Sequence, residues 1–148
     1  MPPMIRSLLI GLIAGQRGMT PLAVVAGAAR HGHAPNGRWL AHPLVASGAV
    51  ALAAAEMAGD KMTTAPDRTI APGLAARALT AGFAGAALAH ERHKTAALLA
   101  AVTAVAAAHA GLALRRVAMR RWGQTASGFV EDAAVLAGGI AVATAPMR

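Results

Sequence analysis

The 148-residue chain contains no cysteine, which excludes disulfides and thiolate chemistry while saying little about compartment. Aromatic residues make up only 3%, with two Trp, two Phe and no Tyr. Charge is scarce as well: 14% of residues are charged, where a soluble domain usually has about a quarter. The six acidic residues are outnumbered by fourteen Lys and Arg, for a formal net charge of +8. From Thr95 to Leu114 there is no Lys, Arg, Asp or Glu, so this stretch lacks the charged outer face of a surface helix. A nucleophile elbow, a Walker loop, a dinucleotide fingerprint and an HExxH pair are all missing, so no enzyme class and no cofactor is supported.

What the chain does have is apolar length. Hydrophobic residues reach 56% and mean hydropathy is +0.50. They fall in long runs separated by compact polar knots, the pattern of segments that cross a bilayer. Much of the apolar content is Ala and Gly, a weaker insertion signal than Leu, and a soluble Ala-rich bundle is the bland alternative. The cations cluster beside the apolar runs, as in Arg115, Arg116, Arg120 and Arg121. Anionic lipid head groups therefore account for them better than nucleic acid does, and the lipid bilayer is the expected partner. Residues 7–14 faintly resemble a signal peptide, but the apolar run resumes after Arg17, which points to an uncleaved first helix.

The expected fold is all-α: a polytopic transmembrane bundle of about five short helices, forming one membrane domain over residues 1–148. The spans are drawn at 7–29 (interrupted near Gly15–Pro21), 43–59, 70–89, 95–114 and 128–145. Loop Lys and Arg residues then favour an N-terminus inside and a C-terminus outside, in a bacterial inner membrane. Several spans approach the lower length limit for a hydrocarbon core of ~30 Å. Five short helices enclose little volume, so a homo-oligomer is expected.

Four groups of residues stand out. In Gly15-Gln16-Arg17-Gly18-Met19-Thr20-Pro21, Pro21 cannot donate to the carbonyl of Arg17 and its ring crowds it. Gly15 and Gly18 loosen the helix further, so a break or kink is expected there. Arg17 then either supplies a fixed charge to an ion site or pairs with a carboxylate. In the second group, Glu56 and Asp60 lie four apart on one helical face and could hold a proton or cation, or anchor Arg17 or Arg77. Arg77, the third, sits about two turns inside its span among Gly73, Gly82 and Gly85, and calls for an acidic partner. The fourth is Glu131-Asp132, which either caps the first turn of a helix starting near Gly128 or enters the bundle to balance Arg17 or Arg77. The pairs His31/His33 and His90/His93 lack the further ligands of a zinc site, so no metal site is assigned. His109, inside the fourth span, is expected to be a core histidine bonded to a carbonyl.

The run Gly11-Leu-Ile-Ala-Gly15-Gln-Arg17-Gly-Met-Thr-Pro21, then Glu56-Met-Ala-Gly-Asp60-Lys61, Pro66-Asp67, Arg77 and Gly82, resembles an uncharacterised family of bacterial membrane proteins. That family has relatives in plants and is known only as a domain of unknown function. The resemblance implies a polytopic membrane protein and supplies no activity, substrate or catalytic residue.

Two functions follow from the residues. The first is a small transporter or channel-like protein for an ion or small anionic solute, with Arg17, Glu56, Asp60, Arg77, Glu131 and Asp132 as an intramembrane cluster. The second is a structural or partner-binding membrane subunit, associated with another membrane protein, whose buried ion pairs fix helix packing. An enzyme acting on lipid is the weakest reading. A water-filled cavity reaching these groups favours transport, and a dry paired core favours the structural reading.

Overall fold

Proline opens four of the helices, at Pro3, Pro21, Pro43 and Pro72. In a first turn its missing N–H has no intrahelical acceptor to lose and its fixed φ suits the helix. The computed structural model describes residues 1–59 and 69–146, and among these the chain forms six α-helices and no strand. They are α1 (Pro3–Gln16), α2 (Thr20–Arg30), α3 (Pro43–Gly59), α4 (Ala71–Leu88), α5 (His93–Trp122) and α6 (Gln124–Thr144), with a 3₁₀ turn at Arg38–Ala41. Spans expected at 43–59 and 70–89 correspond to α3 and α4. The expected 95–114 is extended to Trp122, where Gly123 ends α5 at φ 81°.

The expected first span is not a kinked rod but two helices running in opposite directions. Arg6, early in α1, donates from Nη2 to the carbonyl of His33, just beyond α2, at 3.1 Å. A through-running helix would separate residues 27 apart by about 40 Å at 1.5 Å per residue. Arg17, in extended backbone at φ −137° and ψ 108°, closes α1, and the chain turns back through Gly18 and Met19.

Contacts at the two ends of the bundle fix the other directions. Ser7 meets Gly85 and Arg77 meets Gly15, so α4 is antiparallel to α1. Asp132 lies at Arg17, and Val142 and Ala143 lie at Arg6, so α6 is antiparallel too. Gly11 faces Ala100 and Gly15 faces Ala107, so α5 is parallel to α1. Six helices alternate in direction, and the amino group of Met1 donates to the carbonyl of Pro146. Met1 and Pro146 therefore lie at one end of the bundle. The expectation of termini on opposite sides fails because it counted the α1–α2 hairpin as a single pass.

Packing depends on small residues. A Cβ on Gly11 would come within 2.5 Å of the Ala100 carbonyl oxygen, and one on Gly15 within 2.7 Å of the Ala108 nitrogen. From α4, a Cβ on Gly85 would meet the Ala96 carbonyl at 2.9 Å. The backbones of α1 and α4 thus lie close against α5, as small-residue faces allow. The core is mostly alanine, including Ala14, Ala81, Ala84, Ala100 and Ala104, joined by Ile10, Val25, Leu40 and Leu88. Large apolar side chains point outward instead: Leu44 is 77% exposed, Val130 71% and Leu98 66%. Two helices, α5 and α6, are long and apolar enough by length and composition to cross a membrane.

Candidate functional site

The α1–α2 turn leaves backbone groups without helical partners, because the last carbonyls of one helix and the first amides of the next have none. Glu56 of α3 satisfies one side. Its Oε1 accepts from the Gly18 amide and its Oε2 from the Met19 amide, both at 2.8 Å. Arg77 of α4 satisfies the other, donating from Nε to the Gly15 carbonyl at 3.3 Å. The two side chains also meet, Arg77 Nη2 to Glu56 Oε1 at 3.4 Å. A carboxylate at the start of α2 and a cation at the end of α1 each match the local helix dipole.

A second cluster flanks the same turn. Arg17 is fully buried and donates from Nε to Asp132 Oδ1 at 2.6 Å, with its Nη2 4.0 Å from Glu131 Oε2. Glu131 accepts from Arg115 Nη1 at 3.1 Å. Gln16 extends the layer by donating to the Ala107 carbonyl of α5 at 3.1 Å. Among the described residues, one level of the bundle thus holds Arg17, Arg77 and Arg115 against Glu56, Glu131 and Asp132. Asp60 lies outside the described residues.

Several expectations meet their outcome here. The break through Gly15, Gly18 and Pro21 is present, and Arg17 and Arg77 each have the acidic partner they called for. Glu131 and Asp132 are not first-turn caps: α6 begins at Gln124, which carries both acids past its first turn and into the bundle. His109 is exposed on α5 rather than a core histidine, since the buried face of that helix runs through Ala104, Ala107, Ala108 and Gly111.

Arg115 was read from sequence only as a boundary cation. Its place on the face shared by Gly111, Ala118 and Trp122, at helical spacing, was the available signal. Arg6 counts in the sequence only as one of the loop cations that set orientation. It is fully buried and donates to the last-turn carbonyls of α6, Val142 at 3.2 Å from Nε and Ala143 at 2.7 Å from Nη2. A cation is favoured at that helix end, although its Nη1 has no hydrogen-bond partner among the described residues.

Beyond the charged layer, α5 and α6 continue past the end of α1 to the Gly123 turn. Between them lies a half-open groove of about 710 Å³ whose floor is Gln16 and the Arg115–Glu131 pair. A smaller groove of about 470 Å³ runs between α2, α3 and α6. No protein-family model, curated protein or solved structure matches the chain.

Proposed function

We propose that the chain is an integral membrane protein, a structural or partner-binding subunit whose re-entrant α1–α2 hairpin is locked by the charged layer. The observation that carries this reading is how the described groups of that layer are used: Arg17, Arg77 and Arg115 pair with Asp132, Glu56 and Glu131, and Glu56 and Arg77 also hold backbone groups of the turn. An ion-conducting site would keep part of that capacity for its cargo. Below the layer, Ile10, Ala14, Ala81, Ala84 and Ala100 pack together in one apolar cluster.

Lipid as the surrounding solvent accounts for the inverted distribution of side-chain size, small inside and large outside. Without a hydrophobic force between helices, association depends on close packing of small residues, and bulky side chains face the acyl chains. In water the same exterior would be an aggregation liability. Only 28% of the most apolar window of α5, and of α6, is buried, which suits spanning helices better than a soluble core. The two tryptophans, Trp39 and Trp122, stand at opposite ends of the bundle, as residues of interfacial belts do. A bacterial inner membrane and the uncharacterised family resembled in sequence both fit this assignment.

The test is reconstitution. Purified chain in liposomes is expected to pass neither protons nor small anions and to co-purify from its native membrane with a second membrane protein. Flux that disappears in a folded Arg17→Met variant would overturn the assignment.

A second reading, transport of a small anion, draws on one observation: Glu56 occupies the place of an anion, held by two amides at the start of α2 and by Arg77. On that reading the carboxylate is a tethered plug, and Glu56→Ala would open anion flux in the same liposomes.

A further inference from the structure

Asn36 stitches two connections together at the end of the bundle that holds Met1 and Pro146. Its backbone amide donates to the Ala87 carbonyl at 3.1 Å, and its side-chain amide donates to the carbonyls of Ala89 and His90. The α2–α3 connection therefore lies against the α4–α5 turn, and Arg6 ties the same connection to the end of α6 through His33. Trp39 packs edge-on against Phe83 at 6.1 Å, and the two share a small cavity of about 220 Å³ with Asn36 and His93.

This arrangement collects the histidines. His31, His33, His42, His90 and His93 are all exposed at this end, and only His109 lies elsewhere. The exposed charged groups beside them are Arg30 at the end of α2, Arg38 in the 3₁₀ turn, and Glu91, Arg92 and Lys94 around the start of α5. Arg6 is buried beneath them, the Met1 amino group is bonded to Pro146, and the last turn of α6 adds no titratable side chain. Among the described side chains exposed here, four Lys and Arg against one Glu give a formal +3, and five protonated histidines raise it to +8. Residues 110–135, around the Gly123 turn at the opposite end, contain no histidine, and neither does the connection between α3 and α4.

Lys94 immediately precedes the charge-free stretch Thr95–Leu114 of α5, so these groups border the apolar surface directly. In a bilayer that is head-group depth, where a tryptophan such as Trp39 also belongs. Histidine changes charge between about pH 5 and 8, and a phosphodiester is anionic throughout that range. We infer that this end of the bundle is a contact surface for anionic phospholipid head groups whose strength rises as pH falls. The inference rests on the membrane reading above. Lipid is favoured over an acidic protein because the basic groups adjoin the apolar stretch with no intervening polar layer. Each cation near a membrane surface contributes about a factor of five to enrichment of an anionic lipid, so two further protonated histidines give on the order of 30-fold.

Trp39, half exposed, reports on this end, and in Trp122→Phe protein it is the only tryptophan of the chain. This variant is placed in phosphatidylcholine vesicles carrying a trace of brominated phosphatidylglycerol or brominated phosphatidylcholine, prepared at about pH 8 and at about pH 5.5. Comparing the two quenching curves at each pH cancels any direct effect of pH on the fluorophore. The enrichment of anionic over zwitterionic lipid around Trp39 is expected to rise on the order of 30-fold from the higher pH to the lower. Changing His31, His33, His42, His90 and His93 together to Gln should abolish the rise and leave the enrichment near pH 8 as it was. Arg38→Gln/Lys94→Gln should lower the enrichment at both pH values and keep the rise. Enrichment that does not change with pH, or a rise that persists without these histidines, would overturn the inference while leaving the membrane reading intact. Unchanged enrichment in Arg38→Gln/Lys94→Gln overturns the assignment of the head groups to this end. Protein that fails to float with the vesicles and is quenched by neither lipid overturns both.

Discussion

Replacing Asp132 by Leu removes the carboxylate 2.6 Å from Arg17 Nε and leaves the fully buried guanidinium without its nearest acid. At an effective permittivity of about 20, two unit charges at that separation attract by roughly 6 kcal/mol before desolvation. Desolvation offsets much of this, but it was incurred when both groups were buried and is not recovered when only one is removed. Breaking a buried pair from one side therefore costs about 3–5 kcal/mol, while replacing both members by apolar residues of similar volume is often close to neutral. Asp132→Leu and Arg17→Met should each cost about 3–5 kcal/mol, and the double variant should recover to within about 1 kcal/mol of the parent. The assay is reversible unfolding in mixed micelles, run as a double-mutant cycle. Glu131, 4.0 Å from Arg17, stays beside the guanidinium in Asp132→Leu, already engaged by Arg115. Strict additivity of the two single costs would refute the coupling. A single cost below about 1 kcal/mol would place the pair among ordinary interhelical polar contacts in membranes, which average roughly 0.6 kcal/mol.

Three further outcomes follow from the same geometry. Gly15→Ala should destabilise by about 1–3 kcal/mol, because the new Cβ meets the Ala108 nitrogen at 2.7 Å and the Ala104 carbonyl at 2.8 Å, and helix backbone cannot give way. Gly27→Ala, with nothing within 4 Å, should instead stabilise α2 by roughly 0.5–1 kcal/mol, and thermal melts in detergent compare the two. Glu56→Gln keeps one amide acceptor but loses the charge facing Arg77 and the second charge-assisted bond, for a cost of about 2 kcal/mol. Hydrogen exchange at Gly18 and Met19 should rise in that variant, and unchanged protection there would count against Glu56 as the clamp of the turn.

Helix positions were readable in the sequence because prolines mark their starts and the apolar runs mark their lengths. The interruption at Gly15–Pro21 was readable for the same reason, since a missing N–H and two glycines weaken one turn locally. The reversal of direction at that turn was not. A break and a hairpin share the same local chemistry, and only distant contacts, Arg6 with His33 and Arg17 with Asp132, distinguish them. Arg17, Arg77, Glu131 and Asp132 could be named because an ionisable group in an apolar run needs a partner. Which acid meets which arginine could not be read, since it depends on α6 starting at Gln124 rather than near Gly128. The burial of Arg6 was not legible because its acceptors are backbone carbonyls of α6, which leave no mark in side-chain sequence.

The hairpin in a bilayer is tested most directly by the side from which single cysteines can be reached, in a chain that has none of its own. Pro2→Cys and His31→Cys, both exposed, should react with a membrane-impermeant maleimide from one face, and Gln124→Cys from the other. Labelling of positions 2 and 31 from opposite faces would mean that the first segment crosses the membrane as one helix. Labelling of all three from both faces of sealed vesicles would remove the membrane from the account.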